Sequence, residues 1–335
     1  MPIGTRAVRP PAPSAARHRP IRLTLAPMTF SIVARSADGR QYGVAVASKF
    51  LAAGSAVPAV EAGVGALATQ SYANLAYRPQ GLAMLRTGVA AADAVAGLTA
   101  ADPEQATRQL GVVAAAGDGA TFTGEACHAW AGGRVGGGYA IQGNILTGPE
   151  VVVAMESAWL AHPDERFGER LLIALGAGDE AGGDRRGRQS AALLVAEKGG
   201  GYAGLSDTSV DLRVDDHPDP VADIRRLLRL HRRYFTAPDP SIAVPLTGTL
   251  ATEVRTRLAA LGHGGPDTAD GLDAALTRWA GVENYEERLL AGRIDPEVLA
   301  ALREATEATA SEHRSERQRA RNAAGGGAEK TSTAD

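Results

Sequence analysis

Met28-Thr29-Phe30-Ser31-Ile32-Val33-Ala34-Arg35, then Ser36-Ala37-Asp38-Gly39-Arg40, then Tyr42-Gly43-Val44-Ala45-Val46-Ala47-Ser48-Lys49 is the stretch on which the fold turns. Two β-rich runs flank an Asp-Gly turn, a strong short-range hairpin signal. Working outward, a second strand pair is expected at residues 59–61 and 65–69, and helices at 81–87 and 90–98. Asp102-Pro103-Glu104 predicts a further helix start, with a cap and a proline in the first turn. Strand character returns at 111–116, 121–123, 126–130 and 139–142, and Gly143-Asn144-Ile145-Leu146 is read as its end. Helical spacing follows at 151–161 and 167–175. Residues 191–195 and 201–204 are expected to pair around Glu197-Lys198-Gly199-Gly200, before a strand at 210–217 and a helix at 220–234. Strands, helices and strands again give an α+β class: layered antiparallel sheets with covering helices.

The 335 residues suggest about two domains. Ala237-Pro238-Asp239-Pro240 reads as a linker. Beyond it, helical periodicity at 250–261, 272–279, 285–290 and 296–305 predicts a small all-α domain, with Asp295-Pro296 starting its last helix. The expected organisation is a disordered extension at 1–27, a layered domain at 28–235, a linker at 236–241, a helical domain at 242–308 and a disordered tail at 309–335.

Composition narrows the function classes. Aromatic residues are only 4% of the chain, so the core must be built from Ala, Val and Leu. A net charge of −3 gives no reason to expect nucleic acid or a membrane surface as partner. The single cysteine, Cys127, rules out an internal disulfide and a cysteine-cluster metal site, and fits a reducing compartment. No apolar run approaches the roughly 20 residues that span a bilayer. Residues 1–27 are rich in Pro and Arg and lack the apolar core of a secretory signal, so a cytoplasmic location is expected. No Gly-x-Gly-x-x-Gly follows a strand in the dinucleotide-binding pattern.

The densest polar stretch is Ala181-Gly182-Gly183-Asp184-Arg185-Arg186-Gly187-Arg188-Gln189-Ser190, which runs straight into an apolar strand. Arginine presents a planar fork suited to carboxylates or phosphates, so Asp184, Arg185, Arg186, Arg188, Gln189 and Ser190 are candidate substrate-binding residues. The plainer reading is that Asp184 pairs with one arginine while the others brace strands or an interface. Asp211, Asp215, Asp216 and His217 offer hard-metal ligands, but their alternation reads better as a half-exposed strand ending in a turn, and no metal is assigned. Cys127 and His128 are adjacent, which on a strand places them on opposite faces.

With these residues in view, the chain from about 28 to 234 resembles a bacterial and archaeal family of unknown function, number 1028. The likeness is carried by the opening strand, Ala68-Thr69-Gln70 with Asn74, Gln142-Gly143-Asn144, residues 181–190 and residues 210–217, in that order. It implies an N-terminal-nucleophile (Ntn) hydrolase-like αββα fold. The C-terminal helices resemble a peptidoglycan-binding-like module, on Asn284-Tyr285-Glu286-Glu287-Arg288 and Ile294-Asp295. There Trp279, Tyr285 and Arg288 are candidates for a glycan- or peptide-binding face, against the alternative that the tryptophan is core.

The Ntn resemblance implies an amidohydrolase in which Thr29 becomes the mature amino terminus. A threonine hydroxyl is a weak nucleophile without an adjacent base, and a free α-amine titrates near pH ~7.7–8.0, so it can serve as that base. On this reading Lys49 tunes the amine, Asp38 orients the lysine, and Asn144 stabilises the oxyanion, with Asn74 lining the substrate site. Thr29 is otherwise a β-former opening a strand, and Asn74 and Asn144 are otherwise turn residues. The expected partners are a small carboxylated or peptide-like substrate, a wall-derived glycopeptide at the C-terminal module, and further copies of the chain in a homo-oligomer; no cofactor is expected. The rival expectation is a non-catalytic binding or assembly protein on the same scaffold.

Overall fold

A computed structural model of the chain describes residues 29–236 and 238–325. The expected extension at 1–27, residue 28 and residues 326–335 of the expected tail lie outside the described residues. The hairpin forms as read. Strands β1 (Thr29–Arg35) and β2 (Gln41–Ser48) pair antiparallel, with Arg35 opposite Tyr42, and Gly39 takes φ +72° in the turn. After a short helix α1 (Ala53–Ala56) come β3 (Pro58–Glu61), β4 (Gly65–Ser71), α2 (Tyr77–Arg86) and α3 (Ala91–Ala100). Then follow β5 (Arg108–Ala114), β6 (Ala120–Thr123), β7 (Gly132–Gly136), β8 (Tyr139–Asn144), α4 (Glu150–Ala161), α5 (Phe167–Glu180), β9 (Ser190–Glu197), β10 (Thr208–Val214) and α6 (Pro220–Phe235).

Two antiparallel sheets stack. One has the order β10-β9-β2-β1-β8-β7 and the other β3-β4-β5-β6. Strand alternation decides what each face buries. Phe30, Ile32, Ala45, Ile141 and Leu193 face outward from the six-stranded sheet and pack on α4, α5 and α6. Leu67, Leu110 and Val112 pack on α2 and α3. Val33, Val44, Val46, Ala66, Ala68, Val113 and Ala192 fill the space between the sheets. The order is helix, sheet, sheet, helix. With few aromatics, close approach replaces bulk: a Cβ on Gly43 would lie 2.7 Å from Leu171 Cδ1, so the glycine lets α5 settle on β2.

Several expectations fail for physical reasons. Asp102 opens no helix, only a 3-10 turn at Gln105–Thr107. Its carboxylate is taken by Asn74, Tyr77 and Arg108, and the chain must re-enter the sheet at Arg108. Residues 126–130 are not a strand; the edge strand is β7, which the glycine-rich sequence concealed. Gly143 and Asn144, expected to end β8, are its last two residues. β9 pairs with β10, not with residues 201–204, which form a turn in the connecting loop.

The C-terminal module contains α7 (Gly248–Ala260), α8 (Ala269–Val282) and α9 (Pro296–Gly325), packed around Val254, Leu258, Leu276, Trp279 and Leu302. It is not all-α: β11 (Val244–Pro245) pairs with β12 (Arg293–Ile294), and residues 286–288 form only a 3-10 turn. α9 continues to Gly325, past residue 308 where order was expected to end. Arg288 fastens the module to α6. Its guanidinium donates to the Thr236 and Arg232 carbonyls at 2.7 and 3.2 Å and to both oxygens of buried Asp295.

Candidate functional site

The layer between the sheets is apolar at one end and polar at the other. Thr29 and Ser31 of β1, Ser48 of β2, Gln70 of β4, Gln109 of β5, Gln142 and Asn144 of β8, and Ser190 of β9 are all buried. Antiparallel pairing gathers the starts of β1, β5 and β9 with the ends of β2, β4 and β8 at one pole of the sandwich. Thr29 lies opposite Asn144 and Ser48 opposite Ser190 in register. In a low-dielectric layer such groups must be partnered, and most are.

The network is built from amides. Gln70 Nε2 donates to the Thr29 carbonyl (3.1 Å), to Gln109 Oε1 (2.8 Å) and to the Gln142 carbonyl (3.3 Å), while its Oε1 accepts from Ser31 Oγ at 2.7 Å. Gln142 Nε2 donates to Ser31 Oγ at 2.6 Å. Gln109 Nε2 donates to the Gly143 carbonyl (2.8 Å) and Thr123 Oγ1 (2.9 Å). Asn144 Nδ2 donates to Gln109 Oε1 (2.9 Å) and to the Thr29 carbonyl (3.4 Å). Two buried acceptors, Gln142 Oε1 and Asn144 Oδ1, have no hydrogen-bond partner among the described residues. Gly111 makes the room: a Cβ there would lie 2.0 Å from Gln142 Oε1.

Thr29 is 2% exposed, and its Oγ1 lies 3.2 Å from Ser48 Oγ. Two strained residues bracket this pole. Ser71, ending β4, has φ +66°, and Ile145, following Asn144, has φ +49°, which a β-branched side chain rarely tolerates. The Cys127 thiol, near Ser71, donates to the Arg108 carbonyl, and burial pushes its pKa up, so it is no ready thiolate.

The expected site residues divide. Thr29, Asn144 and Ser190 belong to the pole. Both Asn144 amide hydrogens serve the network, so its side chain holds the Thr29 carbonyl instead of waiting for an oxyanion. Lys49 is exposed: its backbone N–H donates to Asp184 Oδ2 at 2.7 Å and its ammonium to the Arg188 carbonyl at 3.2 Å. Asp38 is at the wrong end. β1 has seven residues, roughly 20 Å of strand, and the Asp38 turn closes the end opposite Thr29. There its carboxylate accepts from Ser36 Oγ (2.5 Å) and the Arg40 N–H (3.1 Å), and these bonds hold its pKa below the ordinary value. A hairpin turn always lies away from the terminus that opens its first strand, so this geometry was available in the sequence.

Asn74 Oδ1 accepts from the Ala76 N–H in the turn before α2, and its Nδ2 donates to Asp102 Oδ2 at 2.9 Å. Tyr77 and Arg108 complete the Asp102 cluster and keep that carboxyl well below the usual carboxylate range, although burial alone would raise it. Asn74 is thus a structural node. The arginine stretch is largely self-engaged: Arg186 pairs with Asp184 at 3.3 Å, Arg188 with Asp179 at 2.8 Å, and Arg185 donates to the Leu146 carbonyl at 3.3 Å. Gln189 donates to Asp216 Oδ1, and Ser190 Oγ to the Phe50 carbonyl. The loop acts as a clasp: Asp184 pins the end of β2 while Arg185 N–H bonds to the Ile145 carbonyl.

Asp211 pairs with Arg213, and His217 Nδ1 accepts from the Asp219 N–H. Among the described residues no group of three or more His, Cys, Asp or Glu side chains is placed to hold a metal, and no helix is long and apolar enough to cross a membrane. In the module, Trp279, Tyr285 and Arg288 are all buried, so they form core and anchor, not a binding face. Sequence reasoning missed Ser31, Ser48, Ser71 and Gln109. For Gln109 the available signal was its place directly before the apolar run Leu110-Gly111-Val112-Val113-Ala114.

Residues 29–224 match the model of a family of unknown function, DUF1028, and residues 234–302 match one described as "Putative peptidoglycan binding domain". The chain is also similar to a solved structure, protein SPO2555 from Silicibacter pomeroyi, described with the same DUF1028 model. The two are 29% identical, the match covers 68% of this chain and 93% of that one, and the TM-score is 0.55. No curated protein matches the chain.

Proposed function

The chain belongs to the family of unknown function DUF1028, and from that premise we propose an Ntn-type amidohydrolase that cleaves an amide bond in a small carboxylated or peptide-like substrate. The observation that carries the reading is the position of Thr29: first residue of a central strand, at the one pole where the inter-sheet layer turns polar, its hydroxyl 3.2 Å from Ser48 Oγ. In the reaction, removal of the residues before Thr29 frees its α-amine. The amine takes the Oγ1 proton as Oγ1 adds to the substrate carbonyl. The C–N bond then breaks, the leaving amine collects that proton, and water hydrolyses the resulting ester. Gln70 and Asn144 position Thr29 through its carbonyl, and the Asp184 clasp shapes the mouth. The C-terminal module brings the enzyme to a peptidoglycan-derived ligand, which carries both amide bonds and carboxylates.

The second reading, a non-catalytic binding protein on this scaffold, draws on the burial of Thr29 and on arginines already engaged with protein groups. Intact mass and N-terminal sequence of the protein from its native host decide between them, together with Thr29→Ala assayed on short peptides and amides. A chain beginning at Thr29, with turnover falling at least about 10³-fold in Thr29→Ala, supports the hydrolase. A retained extension with no turnover sinks it.

A further inference from the structure

The module's own aromatic residues are in its core, so whatever it binds is not held by Trp279 or Tyr285. Two strongly exposed aromatics meet at its border. Among the described residues, Tyr202 (76% exposed) and Phe235 (58%) are the two most exposed aromatic side chains, and they meet edge to face with ring centroids 6.2 Å apart. In a chain with so few aromatics, two exposed rings in contact are not incidental surface. They line a cavity of about 490 Å³, within the range of small-ligand sites (roughly 300–1,000 Å³).

The other walls indicate what the cavity takes. Gly200, Gly201 and Gly204 offer backbone groups without side chains, Thr208 and Ser209 offer hydroxyls, and Asp211 and Glu287 offer carboxylate oxygens. Among the described residues no arginine or lysine lines it, and the Asp211 charge is balanced by Arg213. The His231 ring lies tilted against Phe235 with centroids 5.1 Å apart, and burial lowers its pKa. Ala203 is held at φ +52° in the wall, a conformation that costs a non-glycine residue energy and is kept only where the surroundings impose it. Flat aromatic faces, a surplus of acceptors and no arginine or lysine fit a neutral ligand with apolar faces and many O–H and N–H donors.

We propose that this cleft is a saccharide site, taking an N-acetylated amino-sugar ring of a glycan chain. It is shared by the two halves of the molecule: Tyr202 and Asp211 come from the first domain, Phe235 from the end of α6 and Glu287 from the module. The module thus completes a site that it does not contain. The inference deepens the reading of the module as a binder of wall-derived ligands and is independent of hydrolysis at Thr29.

The test is calorimetric titration of the full chain with an N-acetylglucosamine tetramer and with a disaccharide-peptide released from peptidoglycan, alongside retention on insoluble peptidoglycan. Both soluble probes are expected to bind. Tyr202→Ala and Phe235→Ala should each weaken binding about tenfold, with Tyr202→Phe near wild type. Thr29→Ala should bind as wild type does, which separates this site from the catalytic reading. Thermal unfolding verifies that the variants fold, as expected for side chains this exposed. Retention on insoluble peptidoglycan that is indifferent to Tyr202 and Phe235 overturns the cleft while sparing the module's general reading. Failure of the wild type to bind any of the three overturns both. A variant that converts an oligomer to monomers without touching sugar affinity also overturns the proposal, because the aromatic pair is then an interface between copies.

Discussion

The two ends of the β-sandwich are made from the same strands and have opposite characters. At the Asp38 end the strands leave the sheet through exposed turns tied by surface ion pairs, Arg40 with Glu197 and Lys198 with Asp207. At the Thr29 end the same strands bury serines, glutamines and an asparagine between the sheets, under two residues in strained backbone. Exposed ion pairs contribute roughly 0–1 kcal/mol each, whereas a buried amide left without a partner costs about 1–3 kcal/mol. A fold with no use for the second arrangement would replace it with valine and alanine, as it does in the middle of the same layer. The polar pole is where stability has been put at risk, and that supports placing the function there.

The largest way to break this contrast is Gln109→Leu. The glutamine side chain accepts from Gln70 and Asn144 and donates to Thr123 and Gly143, so its loss strands several buried groups at once. Chemical denaturation should show a loss of roughly 3–5 kcal/mol. An equal loss from an apolar substitution anywhere in the layer would remove the distinction between the poles.

Ser71→Gly probes the strain itself. Glycine accepts φ +66° without the Cβ penalty, and the buried Ser71 hydroxyl has no oxygen or nitrogen partner among the described residues. Stability should rise by about 0.5–1 kcal/mol relative to Ser71→Ala, after the glycine's greater unfolded-state entropy is counted. If the conformation serves the reaction, turnover should fall while the melting temperature climbs. A gain in both would make Ser71 an ordinary defect.

These variants also mark what was legible in the chain. The β1–β2 hairpin and the helices α4, α5 and α6 follow from alternation, periodicity and turn chemistry, whereas the pairing of Thr29 with Asn144 emerges only in the sheet register. The partner of Gln109 does not follow from them either, because a strand's residue alternation tells which side chains share a face but not which strand of another sheet will lie against them. The arginine stretch misled for a related reason. Its donors are real, but Asp179 and the carbonyls of Leu146 and Phe50 reach the loop only through tertiary packing. Trp279 and Tyr285 drew attention as aromatic residues in a small domain, yet a domain that small needs its large rings for its own core. The exposed pair at Tyr202 and Phe235 was invisible because its members are 33 positions apart.

The smallest expected effect lies at the quiet end. Asp38 accepts from Ser36 Oγ, its strongest influence, and from the Arg40 N–H, so its folded pKa is depressed. The sign follows: its contribution is present above the unfolded value of about 3.9 and is lost as pH falls through the lower folded one. Because the group is exposed, solvent screening reduces that contribution to a few tenths of a kcal/mol, and Asp38→Ala should change stability by no more than about 0.5 kcal/mol at neutral pH. Its turnover on any amide substrate should equal that of the wild type. Measured beside Gln109→Leu, this variant sharpens the comparison most, since the two residues lie at opposite ends of one sandwich and only one end should respond. A catalytic defect in Asp38→Ala would restore it to the site and place the chemistry at the wrong pole for Thr29.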